Sequence, residues 1–288
     1  MPDTMPASTS PRRGTWEVEK MRELTAGELQ NTMPVGVDTG GGARERGFGF
    51  KPWRGRDERI IGAMRDKNRS MPPGQFTTRV LAHFLTHWGG KSFDGLDDRE
   101  KWHTLASSYM ADVLYAWCAL RRAALGDTFA AELACPVCRH RFEFDGDLSA
   151  LPVLAADDDD NLRIPHQLKG SFEYLGKEAS TLVLAPSRWV IYEALGKEGL
   201  NIGAIKLRTI AASVVAVDGV DARLAAEQLD DLTKLDLEEL YTAIADNQPG
   251  PDLRIKTVCP ACGMQIDRSF SWGYEAFFSA TSSSSGES

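Results

Sequence analysis

The chain has 288 residues, 42% hydrophobic and 26% charged, with 26 Gly and 14 Pro, which excludes a fibre or a largely disordered chain and fits one large domain or two small ones. Lys plus Arg number 33 against 41 Asp plus Glu, and the net charge of −8 makes nucleic acid an unlikely general partner. The longest apolar run, Ile210 to Val217, contains Ser213 and falls well short of the roughly 20 residues of a membrane span, and Met1 to Arg13 lack the apolar core of a secretion signal. The expected location is therefore the cytoplasm, where metal binding outranks disulfides as the use of five cysteines.

Residues 1–55 read as a flexible Gly-rich arm, because Gly36, Gly40, Gly41, Gly42, Gly47 and Gly49 interrupt any regular apolar spacing. No Gly-Lys-Ser/Thr follows these glycines and no apolar strand precedes them, so they are not a phosphate loop. From Pro11 to Arg79, 14 basic residues face 9 acidic ones, while the remainder is acidic. That polarity suits either self-association or partner docking through opposed faces, or a basic arm before an acidic globule.

Residues 56–128 read as a helical block. Val80, Leu81, Phe84, Leu85 and Trp88 form one stripe up to Gly89-Gly90. Asp97 and Glu100 have capping-box spacing, and Trp102, Leu105, Tyr109, Val113, Trp117 and Leu120 predict one long helix ending at Gly126. Over residues 129–186 the period shortens toward two, at Phe142 and Phe144, Phe172 and Tyr174, Leu182 and Leu184, which predicts short strands around a first knuckle. The run Asp157 to Asp160 reads as a solvated loop, since the later Gly and Glu of a calcium loop are absent.

Residues 187–248 read as a second helical subdomain, with Asp236 and Glu239 again at capping-box spacing, ended by Pro249-Gly250-Pro251. Residues 249–278 hold a second knuckle after the strand-like Leu253, Ile255 and Val258, and residues 279–288 form a Ser-rich disordered tail. The expected class is α+β, with the second helical subdomain inserted between the two knuckles.

Both knuckles are CPxC units, Cys135-Pro136-Val137-Cys138 and Cys259-Pro260-Ala261-Cys262, and they look like copies of one turn. Cys-x-x-Cys spacing aims two sulfurs at one metal, and two such turns supply the four thiolates that Zn2+ binds at about 2.3 Å. Although 120 residues separate the units, loop closure grows only with the logarithm of length. The expectation is one structural Zn2+ per chain in a split zinc ribbon, with Cys135, Cys138, Cys259 and Cys262 as ligands.

Two rivals remain open. A redox dithiol requires the first Cys at a helix N-terminus, and a catalytic zinc requires an open position, for which His140 is the nearby candidate. Cys118 reads as a buried thiol in a helix, and His83 and His87, spaced i, i+4 without an HExxH pattern, as ordinary helix residues. No catalytic constellation can be assembled, and no enzyme is expected.

Several segments occur in a particular order: Arg54-Gly55-Arg56-Asp57-Glu58, Leu120 to Asp127, Leu133 to Cys138, Asp147-Leu148, Val258 to Cys262 and Phe277-Phe278. In this layout the chain, over about residues 34–278, resembles a family of baseplate proteins from contractile-tailed phages. That family is related to the T-even phage baseplate hub assembly proteins and has counterparts in phage-like contractile injection systems. The resemblance implies a protein that contacts other baseplate, hub or tail proteins, binds no small-molecule substrate and acts in the cytoplasm during assembly, either as a structural subunit that stays in the assembled particle or as a transient assembly factor. It matches the two knuckles to Cys135 with Cys138 and Cys259 with Cys262. The alternatives are a zinc-ribbon adaptor binding nucleic acid through Arg139, His140, Arg141, Lys256 and Arg268, and a CxxC dithiol oxidoreductase.

Overall fold

The computed structural model describes residues 21–23, 31–40, 43–67, 71–156, 162–195, 201–269 and 278; the Asp157–Asp160 run, the Ser-rich tail and most of the first 30 residues lie outside them. The class is mixed helix and strand, consistent with α+β. Among the described residues no helix is long and apolar enough to cross a membrane.

After a short strand β1 (Met21–Glu23), the chain forms a hairpin of β2 (Thr32–Asp38) and β3 (Arg44–Phe50). This corrects the expectation of an arm without regular structure. Met33, Val35 and Phe48 are buried on the hairpin, and its glycines permit close approach. A Cβ at Gly49 would lie 2.5 Å from Cε1 of the exposed His87, so glycine lets the strand pass under that ring without displacing it.

Helices α1 (Gly55–Lys67) and α2 (Pro73–Phe84) follow, then strands β4 (Leu85–Trp88) and β5 (Lys91–Ser92). The expected helical stripe through Trp88 is thus cut at Phe84. Leu85 N still donates to Leu81 O, but Leu85 itself is extended (φ −63°, ψ 132°). Leu85 and Trp88 stay buried because β4 pairs with β3.

The expected long helix is two. Helix α3 (Asp98–Ser107) starts at the Asp97–Glu100 capping box, as the spacing predicts. Ser108 and Tyr109 are extended, and helix α4 (Met110–Leu125) runs on to Gly126, whose φ of 86° suits glycine. The break is held from inside: Ser108 Oγ accepts from Trp88 Nε1 at 2.9 Å. Strands β6 (Thr128–Ala134) and β7 (Arg141–Asp147) form the hairpin that carries the first CPxC. Strand β8 (Val153–Ala156) then leads to the second half and pairs with β1.

The second half repeats the first. It has strands β9 (Ile164–Tyr174) and β10 (Lys177–Leu184), helices α5 (Trp189–Leu195) and α6 (Ile202–Ser213), strands β11 (Val214–Val217) and β12 (Val220–Asp221) and helix α7 (Lys234–Asp246). Strand β13 (Gly250–Pro251) pairs with β8, and β14 (Arg254–Val258) with β15 (Gln265–Ser269) forms the second knuckle hairpin. Strands β9 and β10 lie where short strands are expected, but residues 187–248 are not wholly helical, since β11 and β12 lie among their helices.

Sheet order is β2-β3-β4-β5 in one half and β9-β10-β11-β12 in the other. Phe48, Gly49 and Phe50 face Trp88, His87 and Leu85, with a shift after Gly49. Leu182, Val183 and Leu184 face Val217, Ala216 and Val214, with a shift after Val183. The loop bonds match too: Lys51 N to Phe84 O (2.9 Å) with Ala185 N to Ser213 O (2.7 Å), and Gly89 N to Gly47 O (2.8 Å) with Asp218 N to Thr181 O (2.9 Å). Residues 109–145 correspond to 233–269 without a gap, which aligns Asp112 with Asp236, Gly126 with Gly250 and Cys135 with Cys259.

Each half has its own core, one around Phe84, Trp88, Leu105 and Trp117, the other around Leu182, Leu184, Ile210 and Leu240. Trp189 of α5 enters the first core and so fastens the halves together. Phe278 stacks on Trp53 (5.3 Å) and meets Trp117 edge-on (4.7 Å). Helix α7 is capped by Thr233, whose hydroxyl accepts from Asp236 N; the expected Asp236–Glu239 cap lies one turn too late, and Asp236 is the third helical residue.

Candidate metal centre

Each CPxC sits at the turn between two antiparallel strands, and the two turns are built alike. Cys135 N donates to His140 O and Arg139 N to Cys135 O, at 2.9 and 3.0 Å. Cys259 N donates to Met264 O and Gly263 N to Cys259 O, both at 2.9 Å. The fifth position is left-handed in both, Arg139 at φ 60° and Gly263 at φ 72°. A short apolar wall completes the site, with Phe142 and Ile266 at equivalent places beside the buried Cys135 and Cys259.

This geometry brings all four Sγ atoms within 4.8 Å of one another, a group that could hold a metal ion. Two close sulfur pairs cross between knuckles, Cys135 to Cys262 at 3.6 Å and Cys138 to Cys259 at 3.7 Å. Exchanging the knuckles turns one pair into the other, so the sulfur cluster has local twofold character. Tetrahedral bonds of about 2.3 Å place sulfurs about 3.8 Å apart, which the cross pairs match.

Backbone amides favour thiolate here. N–H groups of Cys138 and Val137 at the Cys135 sulfur bring it down to about 6 against the opposing effect of desolvation. At Cys262 the Met264 N–H acts in the same direction, but the sulfurs of Cys138, Cys135 and Cys259, together with desolvation, outweigh it and push the thiol up to about 12. Four sulfurs this close cannot all ionise unaided, and a cation at their centre removes that conflict. All sequence-predicted ligands are thus brought together. His140 is exposed in the turn and outside the group of potential ligands, whose four positions are all sulfur.

None of the protein families, curated proteins or solved structures with which the chain was compared matches it. The metal-site reading therefore rests on the chain's own geometry and chemistry.

The fifth cysteine is apart from the cluster. Cys118 is buried in α4, and desolvation pushes its thiol up to about 12, as expected of a packing residue. His83 and His87 do not share a helix face, because α2 ends between them. His83 Nε2 lies 2.7 Å from Asp57 Oδ1 and 3.2 Å from Lys51 Nζ, while Arg54 N donates to the other Asp57 oxygen. That cluster, which spacing did not reveal, pins the end of β3 and the start of α1 to α2.

Proposed function

We propose that this chain is a non-enzymatic structural protein in which one Zn2+, held by Cys135, Cys138, Cys259 and Cys262, clips together two like halves. The working surfaces would then contact other subunits of a contractile phage tail or injection-system baseplate, as a subunit or assembly factor. The observation that carries the zinc reading is the four-sulfur cluster itself, drawn in equal parts from turns 121 positions apart at Cys138 and Cys259. Zinc fits an all-sulfur set that can close into a tetrahedron better than the hard cations Mg2+ or Ca2+, which take oxygen ligands. A site filled by four thiolates leaves no open position for a reacting water, which supports a structural task. The baseplate assignment rests on the ordered sequence resemblance.

The rival readings have weaker support. Both CPxC units lie between strands rather than at a helix N-terminus, the setting that activates a redox dithiol. Of the basic residues around the knuckles, Arg141 is paired with Glu132 and Lys256 with Asp252, which reduces the charge available to a phosphate backbone.

The deciding measurement is metal content by mass spectrometry on protein purified without added metal or chelator, beside Cys259→Ser. One zinc per chain, lost or greatly weakened in the variant, is the expected result. Absence of zinc with paired or reactive cysteines overturns the structural-zinc reading in favour of the dithiol. Cross-linking with the products of neighbouring genes tests the baseplate assignment separately, and failure to capture tail or baseplate proteins would remove it.

A further inference from the structure

One contact between the halves is filled on the first repeat, while the described residues at its equivalent on the second are exposed. Around α5, Arg188 lies 3.6 Å over the Tyr109 ring and donates to Ser107 O at 3.0 Å. Trp189 N donates to Ser108 O (2.9 Å), and its Nε1 to Thr78 Oγ1 (2.7 Å). Glu193 accepts from Trp102 Nε1 and from Thr78 Oγ1. Tyr192 lies over Gly74, where an added Cβ would come 2.8 Å from its ring. The start of α2 and the α3–α4 junction thus form a seat for the helix that follows the second hairpin.

By strand register, the counterpart of α5 is α1. Pro52-Trp53-Arg54 precedes α1 as Pro186-Ser187-Arg188 precedes α5. Arg54, Gly55, Glu58 and Arg59 therefore hold the places of Arg188, Trp189, Tyr192 and Glu193, and all four are exposed. The seat is repeated as well. Gly74 is the second residue of α2 and Gly203 the second residue of α6, while Ser107 and Ser108 correspond to Asp231 and Leu232. Helix α6 packs against α7 and the Ala226–Leu229 turn, as α2 packs against α4 and α3. Yet Ile202 is 85% exposed, and Gly203, Asp230 and Asp231 are exposed beside it.

We propose that a second copy of this chain occupies the open seat, its α1 crossing the start of α6 and the Asp230–Asp231 corner as α5 crosses the first-half seat within the chain. Charge selects this occupant. Along the start of α1 the exposed Arg54, Arg56 and Arg59 outnumber the exposed Glu58, and the seat presents Glu227, Asp230 and Asp231. The segregation of basic residues before Arg79 from an acidic remainder has the same polarity. The contact is head-to-tail, so each copy keeps one free head and one free seat, and association proceeds to a ring or a filament. This inference depends on the repeat and not on the zinc or baseplate readings.

The test is sedimentation velocity of the full-length, metal-replete protein across a concentration series at low and high salt. The expected result is association beyond a dimer that rises with concentration and weakens with salt. Arg54→Glu spoils the head, and the double change Asp230→Asn with Asp231→Asn neutralises the seat without offering the altered head an opposite charge, so each variant alone is expected to stay monomeric with unchanged metal content and circular dichroism. Mixed, they retain one good head and one good seat between them, and are expected to form a dimer and nothing larger. A wild type that stays monomeric at every concentration, or association that persists in both variants, overturns the proposal. A mixture that remains monomeric also overturns it, because a head-to-tail contact requires the single-capped pair.

Discussion

Asp112 and Asp236 make the same contact in the two halves: each is the third residue of its helix, is buried, and accepts from two consecutive strand amides. For Asp112 these are Val35 N and Gly36 N, at 2.8 and 3.1 Å; for Asp236 they are Lys169 N and Gly170 N, at 2.7 and 3.3 Å. Their acidities nevertheless diverge. Desolvation dominates at Asp112 and pushes it up to about 6, whereas at Asp236 desolvation is outweighed by the Thr233 hydroxyl together with the two amides, and its pKa is lowered.

A pH dependence of opposite sign follows for the two carboxyls. Asp112 titrates at about 6 folded against 3.8 in its ordinary state, so its favourable contribution is complete below 3.8 and is lost as pH rises through about 6. Relative to Asp112→Asn, the wild type is expected to lose about 1 to 2 kcal/mol between about pH 5 and pH 8, read from urea midpoints. Asp236 has a lowered folded pKa, so its contribution is present above the ordinary value and lost as pH falls through the folded one. A wild-type and Asp112→Asn difference that is flat with pH would refute the Asp112 assignment.

The knuckle turns predict an asymmetric response to substitution at one position. Gly263 and Arg139 both occupy left-handed backbone, and a β-branched residue there costs about 1 to 2 kcal/mol. Gly263→Val is expected to weaken metal affinity roughly tenfold in chelator competition. Arg139→Gly relieves strain but gains unfolded-state freedom, and is expected to change affinity by less than about threefold.

Thiol labelling separates the cysteines by setting. In metal-replete protein none of the five is expected to react rapidly; chelation should release four, while Cys118, buried and with its pKa raised, reacts only on unfolding. Rapid labelling of Cys118 in the folded chain would contradict its burial in α4.

Glu193 is the buried carboxylate at the join of the halves. Glu193→Ala strands the Trp102 indole N–H and removes one partner of Thr78, which is expected to cost about 1 to 3 kcal/mol in denaturant unfolding. Glu193→Gln keeps an acceptor for Trp102 and is expected to retain most of that stability.

The parts of this molecule legible in its sequence are those with a short-range cause. The CPxC pairs, the Asp97–Glu100 box and the Gly126 stop each depend on a few neighbouring atoms, and each lies where spacing predicts. Leu85 and Trp88 misled because both lie in phase with the α2 stripe, and only pairing with β3 decides between helix and strand. The β2–β3 hairpin was hidden by glycines that serve contacts distant in sequence, such as Gly49 beneath His87. The repeat was invisible beyond the knuckles because equivalent core sites hold side chains of unequal size, Phe84 against Ser213 and Trp88 against Val217. What persists is the backbone bonding and a few residues that serve it, Asp112 and Asp236 among them.

Helix α2 becomes β4, and α6 becomes β11, without a single intervening residue. With no linker at the junction, the direction of the helix and that of the third strand of the sheet are set together. In the first half the free end of the helix lies under Tyr192, and in the second it ends in solvent at Ile202. At the corner between α6 and β11, Ser213 O accepts from Ala185 N at 2.7 Å, so the turn from helix to strand is tied to the end of β10.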